Sequence, residues 1–166
     1  MPFEPPILER HGLATTAVGH PVVEAMGRQV DAAGFRAARG IPTDAPLICL
    51  LPGSRSSEVG RLLPVFEETM ARLGAHRPGL QAVLPTVAGV AQEVRAATAH
   101  WPVPVHVVEG TEVRYAAFAA SQAAIAASGT VAVELAVAEV PAVIAYRVSR
   151  VTAFLARRLI RVNYVS

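Results

Sequence analysis

Apolar positions along this chain fall into short runs separated by longer stretches with helical spacing. The runs Leu47–Leu51, Gln81–Pro85, Val105–Val108, Ala123–Ala127 and Ala142–Tyr146 are each short enough to be a buried strand. A weaker run, Thr15–Val18, ends at Gly19-His20-Pro21 and predicts a first strand ahead of them. Between the runs, helices are predicted over 22–38, 58–73, 90–98, 113–121, 131–138 and 152–160. The clearest is 58–73, where Val59, Leu62, Leu63, Phe66 and Met70 share one face. Strands alternating with helices predict an α/β fold, a doubly wound parallel sheet of about six strands with helices on both faces.

Two strand-to-helix corners carry candidate chemistry. The first is Leu50-Leu51-Pro52-Gly53-Ser54-Arg55-Ser56-Ser57-Glu58. In an open α/β sheet such a corner lies at the carboxyl edge, where ligands bind. Gly53 lets backbone approach a ligand closely, Ser54 offers a hydroxyl and an N–H, and Arg55 adds a full charge to the helix N-terminus. Together they suit a phosphate or diphosphate. The plainer reading is a Pro-Gly turn with Ser56 or Ser57 as an N-cap, and the motif by itself leaves both open. The second corner is Ser128-Gly129-Thr130, with Glu134 about one turn beyond Thr130. A carboxylate there can accept both hydroxyls of a ribose, or Thr130 can be a cap and Glu134 a dipole partner. Two such corners in one sheet could clamp the ends of one nucleoside diphosphate.

Composition narrows the field. The chain has 166 residues, 52% hydrophobic and 17% charged, which suits one folded domain rather than a disordered segment. No run approaches the roughly 18 apolar residues of a spanning helix. The opening Met1–Pro6 lacks a signal-peptide pattern, and Cys49 sits alone inside an apolar run, so a cytoplasmic location is expected. The net charge is +2 and every basic residue is Arg, with no basic stripe interleaved with aromatics; nucleic acid is not an expected partner. The dinucleotide fingerprint and the lysine-bearing phosphate loop are both absent. No His and Cys have zinc spacing, so neither a metal nor a cofactor is expected. His106 alternates with valines in a strand and reads as structural. His20, at the ligand edge, is a candidate for contact with a ligand or a partner domain. The segment 151–161 is amphipathic, with Arg157, Arg158 and Arg161, and could lie on an anionic membrane surface.

At this point the motifs resemble a known family. Leu51-Pro52-Gly53-Ser54-Arg55 with Glu58 resembles the nucleotide-domain signature of lipid-A-disaccharide synthase. So do Pro2-Phe3-Glu4-Pro5-Pro6, Val18-Gly19-His20-Pro21, Ser128-Gly129-Thr130 with Glu134, and Ala145-Tyr146-Arg147-Val148-Ser149, in the family's order. The resemblance implies a two-domain glycosyltransferase of the GT-B type, of which this chain is the Rossmann-like C-terminal, UDP-sugar-binding part. It implies a UDP-2,3-diacylglucosamine donor, a 2,3-diacylglucosamine 1-phosphate acceptor and work at the inner face of the inner membrane. Carried over, Gly53, Ser54 and Arg55 would meet the diphosphate from one side, Ser128, Gly129 and Thr130 from the other, and Glu134 would hold the ribose. Arg147 joins His20 as a candidate contact. No catalytic residue is expected within these residues, because the family's base belongs to its N-terminal domain. Two positions depart from the family's pattern: Arg150 stands where proline is usual and Glu139 where glycine is usual.

The implied organisation is an interdomain linker and first strand over 1–20, the nucleotide-sugar-binding domain over 21–150, and over 151–166 an amphipathic helix leading to further sequence. Both ends read as interior sequence, which suggests a domain excised from a longer chain. Two other readings stay open here. One is a non-catalytic α/β module docking on a membrane or partner through its basic last helix. The other is a UDP-sugar epimerase-like enzyme, for which no convincing set of acids and bases is evident.

Overall fold

Five of the expected strands are present in the computed structural model, which describes residues 4–19, 22, 30–127 and 129–146. In chain order the elements are α1 Glu4–Glu9, α2 Ala32–Ala37, β1 Leu47–Leu51, α3 Ser56–His76, β2 Gln81–Thr86 and α4 Ala88–Thr98. There follow β3 Val105–Glu109, α5 Thr111–Ala120, β4 Ala123–Ala127, α6 Val131–Val137 and β5 Ala142–Ala145. The strands form one parallel sheet in the order β3-β2-β1-β4-β5. The chain steps outward from β1 to β3. Then α5 carries it back to the far side of β1, where β4 and β5 are added. The direction of winding therefore reverses between β1 and β4, and a crevice at their carboxyl ends is the expected ligand position.

Side-chain alternation along β1 feeds two cores. Leu50 joins Val59, Leu62, Leu63, Phe66 and Met70 of α3 with Val90 and Val94 of α4 on one face. Cys49 and Leu51 join Phe35 of α2, Phe118 of α5 and Leu135 of α6 on the other. Phe66 and Phe118 are fully buried, each contributing roughly 1.5–3 kcal/mol. Burial pushes the Cys49 thiol well above the ordinary cysteine range. It stays protonated and packs as a small apolar side chain. The helix α3 runs through Pro64. Proline removes the N–H that would bond Gly60, but both residues are exposed, so water can take the freed carbonyl.

Arg36 is a buried cation, only 8% exposed, held by carbonyls alone among the bonds described for it. Its Nε and Nη2 donate to Ala120 O at 3.2 and 2.7 Å, and Nη1 donates to Pro42 O at 2.9 Å and Ala45 O at 3.0 Å. Ala120 ends α5, so the guanidinium also meets the negative end of that helix. The bonds tie α2 to the base of the sheet.

The helix α6 closes in a Schellman arrangement. The Val140 N–H donates to Leu135 O at 3.0 Å and the Glu139 N–H to Ala136 O at 3.1 Å. The motif places its C′ residue in the left-handed region, and that residue is Glu139, at φ +57°. The family's usual glycine would adopt this conformation without the crowding that a Cβ brings.

Two expectations are corrected. The sheet has five strands rather than six, because Thr15–Val18 forms none; residues 13–19 carry no regular structure. That run holds a single strongly apolar residue, Val18, which is 91% exposed. A strand exists only with a ladder partner, and the run pairs with neither sheet edge. The segment near Pro5-Pro6 forms helix α1, with the prolines in the first turn, where their missing N–H groups cost nothing. The expected helix 22–38 is not continuous: Val22 is helical, residues 30–31 are not, and α2 is opened by Asp31, whose carboxylate accepts the Gly34 N–H at 2.7 Å; residues 23–29 lie outside the described residues.

Candidate functional site: a pocket at the sheet crevice

The carboxyl ends of β2, β1 and β4 open into one cavity of about 390 Å³. Both candidate corners line it. Gly53, Ser54 and Arg55 come from the β1–α3 loop, and Gly129, Thr130 and Glu134 come from the β4–α6 corner. The paired register Leu51↔Ala126 is what brings segments so far apart in sequence side by side. Ser128, His20 and Arg147 lie outside the described residues, as does the basic segment 151–161. No helix among the described residues is long and apolar enough to cross a membrane.

The first corner is held by Glu58. Its carboxylate accepts the Ser54 N–H at 3.1 Å through Oε2 and the Arg55 guanidinium at 2.7 Å through Oε1. These contacts, the Arg55 hydrogen bond foremost, hold the Glu58 carboxyl below the usual carboxylate range. Gly53 has φ +109°, and a Cβ there would run into the Glu58 side chain, 2.8 Å from its Cβ. Helix α3 starts with Arg55 at the N-cap position in extended conformation, without a side-chain cap. Ser56 and Ser57 therefore do not have the capping role that the plainer reading gave them. The corner presents an N–H, an exposed guanidinium and the start of a 21-residue helix.

The second corner adds a buried carboxylate. Glu134 is 8% exposed. Its Oε1 accepts from Arg114 Nη2 at 3.0 Å. Its Oε2 has no partner, and neither do Thr86 Oγ1 and Arg114 Nε. These three are the buried, unpartnered side-chain polar atoms among the described residues, and all three belong to residues lining this cavity. Buried polar atoms are nearly always paired, so a cluster left open around one cavity points to a polar occupant. Thr130 makes no side-chain cap bond, which removes the simplest alternative for that residue.

A larger groove, about 550 Å³, runs along the β3 edge beside Trp101, Pro102 and Pro104. None of the unpartnered atoms lines it. Its Arg95 is already engaged with Glu109 at 2.6 Å and Val107 O at 3.2 Å. His106, expected to be structural, sits in β3 with Nε2 2.7 Å from Gln81 Oε1. Burial first, and the Arg39 charge second, hold its imidazole below the ordinary value.

Glu58, Arg114 and Thr86 were not among the expected site residues. The spacing of Glu58 to Ser54 and Arg55, one helical turn, was a usable signal. Arg114 had none: it lies on α5 and meets Glu134 only through the fold.

The model of the lipid-A-disaccharide synthetase family matches residues 1–166. The chain belongs to this family. It is 54% identical to the lipid-A-disaccharide synthase of Rhodospirillum centenum over its whole length, and 51% identical to that of Paramagnetospirillum magneticum over 96% of it. In each case it spans 41% of the relative's length. Solved structures add the fold alone. S. aureus MnaA, in a co-structure with UDP, matches 90% of this chain and 41% of its own at TM-score 0.59 and 16% identity. A family 9 glycosyl transferase from Veillonella parvula matches 76% of this chain and 35% of its own at TM-score 0.56 and 15% identity. These likenesses agree with the Rossmann-like parallel α/β sheet described above.

Proposed function

We propose that this chain is the donor-binding domain of a lipid-A-disaccharide synthase, which transfers 2,3-diacylglucosamine from UDP to 2,3-diacylglucosamine 1-phosphate. The observation that carries the reading is the single cavity at the β1/β4 crevice, lined by both corners and by the residues that carry the unpartnered Glu134 Oε2, Arg114 Nε and Thr86 Oγ1. Membership of the lipid-A-disaccharide synthetase family supports a nucleotide-sugar donor and a lipid acceptor.

In this reading the diphosphate lies between the 53–55 and 128–130 corners, and the ribose hydroxyls donate to Glu134. When the sugar leaves, negative charge develops on the departing UDP. The Ser54 N–H, the Arg55 guanidinium and the positive end of α3 then stabilise it from fixed positions. Glu58 holds the first two of these groups in place before a ligand arrives. The proton removed from the acceptor hydroxyl goes to a base outside these residues. The basic segment 151–161 would rest on the cytoplasmic face of the inner membrane, where the acylated substrates partition. A direct test measures UDP release from UDP-2,3-diacylglucosamine by the chain extended to its relatives' full length. Arg55→Ala should lower the rate at least tenfold. An undiminished rate would remove Arg55 from the diphosphate site.

A further inference from the structure

Glu134 meets a guanidinium through one oxygen only. Arg114 Nη2 donates to Oε1 at 3.0 Å, while Oε2 is buried without a partner. An ionised carboxylate has room for about four hydrogen bonds. The pair is therefore left half satisfied in a direction that a ligand can fill. Arg114 is itself constrained: its guanidinium carbon stands 5.3 Å from the centroid of the Tyr115 ring, and Tyr115 is buried in the core. Arg114 has lost part of its own freedom before it meets Glu134, so it can fix the carboxylate rather than follow it.

We infer that Arg114 is a positioning residue that presents Glu134 to a vicinal diol, and that this pair makes the pocket prefer a ribonucleotide to its 2′-deoxy counterpart. The inference rests on the reading that this cavity takes a nucleoside diphosphate, and adds to it the residue that sets sugar selectivity. A hydroxyl at the 2′ position donates to Oε2. A 2′-deoxy sugar leaves that buried oxygen unpaired, which is the arrangement by which binding sites discriminate most strongly. Without the guanidinium the carboxylate loses its fixed orientation, and the selectivity should fall even where nucleotide binding persists.

The test titrates UDP and 2′-deoxy-UDP into the full-length protein and its variants, with thermal melts run alongside. The wild type should bind UDP about tenfold or more tightly than 2′-deoxy-UDP. In Arg114→Gln, UDP affinity should fall while 2′-deoxy-UDP affinity changes little, bringing the two within about twofold of each other. Arg114→Lys, which keeps the positive charge as well as a donor at that position, should recover part of the ratio. Equal losses for both nucleotides in Arg114→Gln, at an unchanged ratio, would mean a structural role only and overturn the inference. A wild type that binds both equally would overturn it without any variant. Failure of the wild type to bind either nucleotide would instead overturn the underlying pocket reading, and this inference with it.

Discussion

The Arg55 guanidinium donates to the Glu58 carboxylate at 2.7 Å, three residues further along the chain and at the mouth of the pocket. The same carboxylate accepts the Ser54 N–H. Glu58 thus occupies, from within the protein, the groups that suit an incoming phosphate. The corner is preorganised, and a bound diphosphate would share or displace this internal anion.

That pair has a pH signature. The folded-state pKa of Glu58 is depressed, so its contribution to stability is present above the unfolded value and lost as pH falls through the folded one. Both partners are substantially exposed, so the contribution is about 0.2–1 kcal/mol. Urea denaturation of wild type and Glu58→Gln between pH 7 and pH 3 should show the wild-type advantage shrinking below about pH 4.3. A constant difference over that range would show that the charge on Glu58 contributes nothing.

Gly53→Ala should damage the same corner through the backbone. Its positive φ is strained for any L side chain, and the added Cβ meets Glu58. A loss of about 1–3 kcal/mol is expected, together with weaker UDP binding, because the Ser54 N–H must move. A variant with wild-type stability and UDP affinity would contradict the geometry of this loop.

Glu139→Gly should stabilise the protein. It relieves a left-handed residue at the C′ position of α6 without touching the two Schellman hydrogen bonds. The gain is about 1 kcal/mol, seen as a rise in Tm of about 2–4 °C. A lower Tm would show that the Glu139 side chain has a contact worth more than the strain.

These positions also separate what could be read in the sequence from what could not. The strands β1 to β5 and the buried face of α3 follow from apolar runs and spacing, because a parallel sheet buried on both faces needs such runs. Thr15–Val18 misled because pattern does not reveal whether a strand has a neighbour. Helix α1 was hidden by Pro5-Pro6, which is compatible with a first turn as well as with a linker. Gly53, Ser54, Arg55, Gly129, Thr130 and Glu134 were picked out by their place after a strand, and the fold brings them into one cavity. Arg114 was invisible because its role depends on the fold bringing α5 beside Glu134 of α6. Arg36 was invisible for a similar reason: an arginine in a helix reads as solvated surface unless the fold encloses it.

Arg36 should prove the most sensitive charged position for stability. Arg36→Met leaves the carbonyls of Ala120, Pro42 and Ala45 without this donor, and a loss of about 3 kcal/mol or more is expected. Lysine should rescue little, since one ammonium does not reproduce the fork that spans these carbonyls. Chemical denaturation of both variants checks this; near-wild-type stability in Arg36→Lys would show that charge alone suffices.

The central claim is that the crevice between β1 and β4 binds the nucleotide of a UDP-sugar. Calorimetric titration of UDP, with AMP as control, into wild type and Arg55→Ala tests it most directly. Selective binding of UDP by the wild type, weakened in Arg55→Ala, is the predicted result. Binding of UDP and AMP alike, or UDP binding indifferent to Arg55, would contradict it.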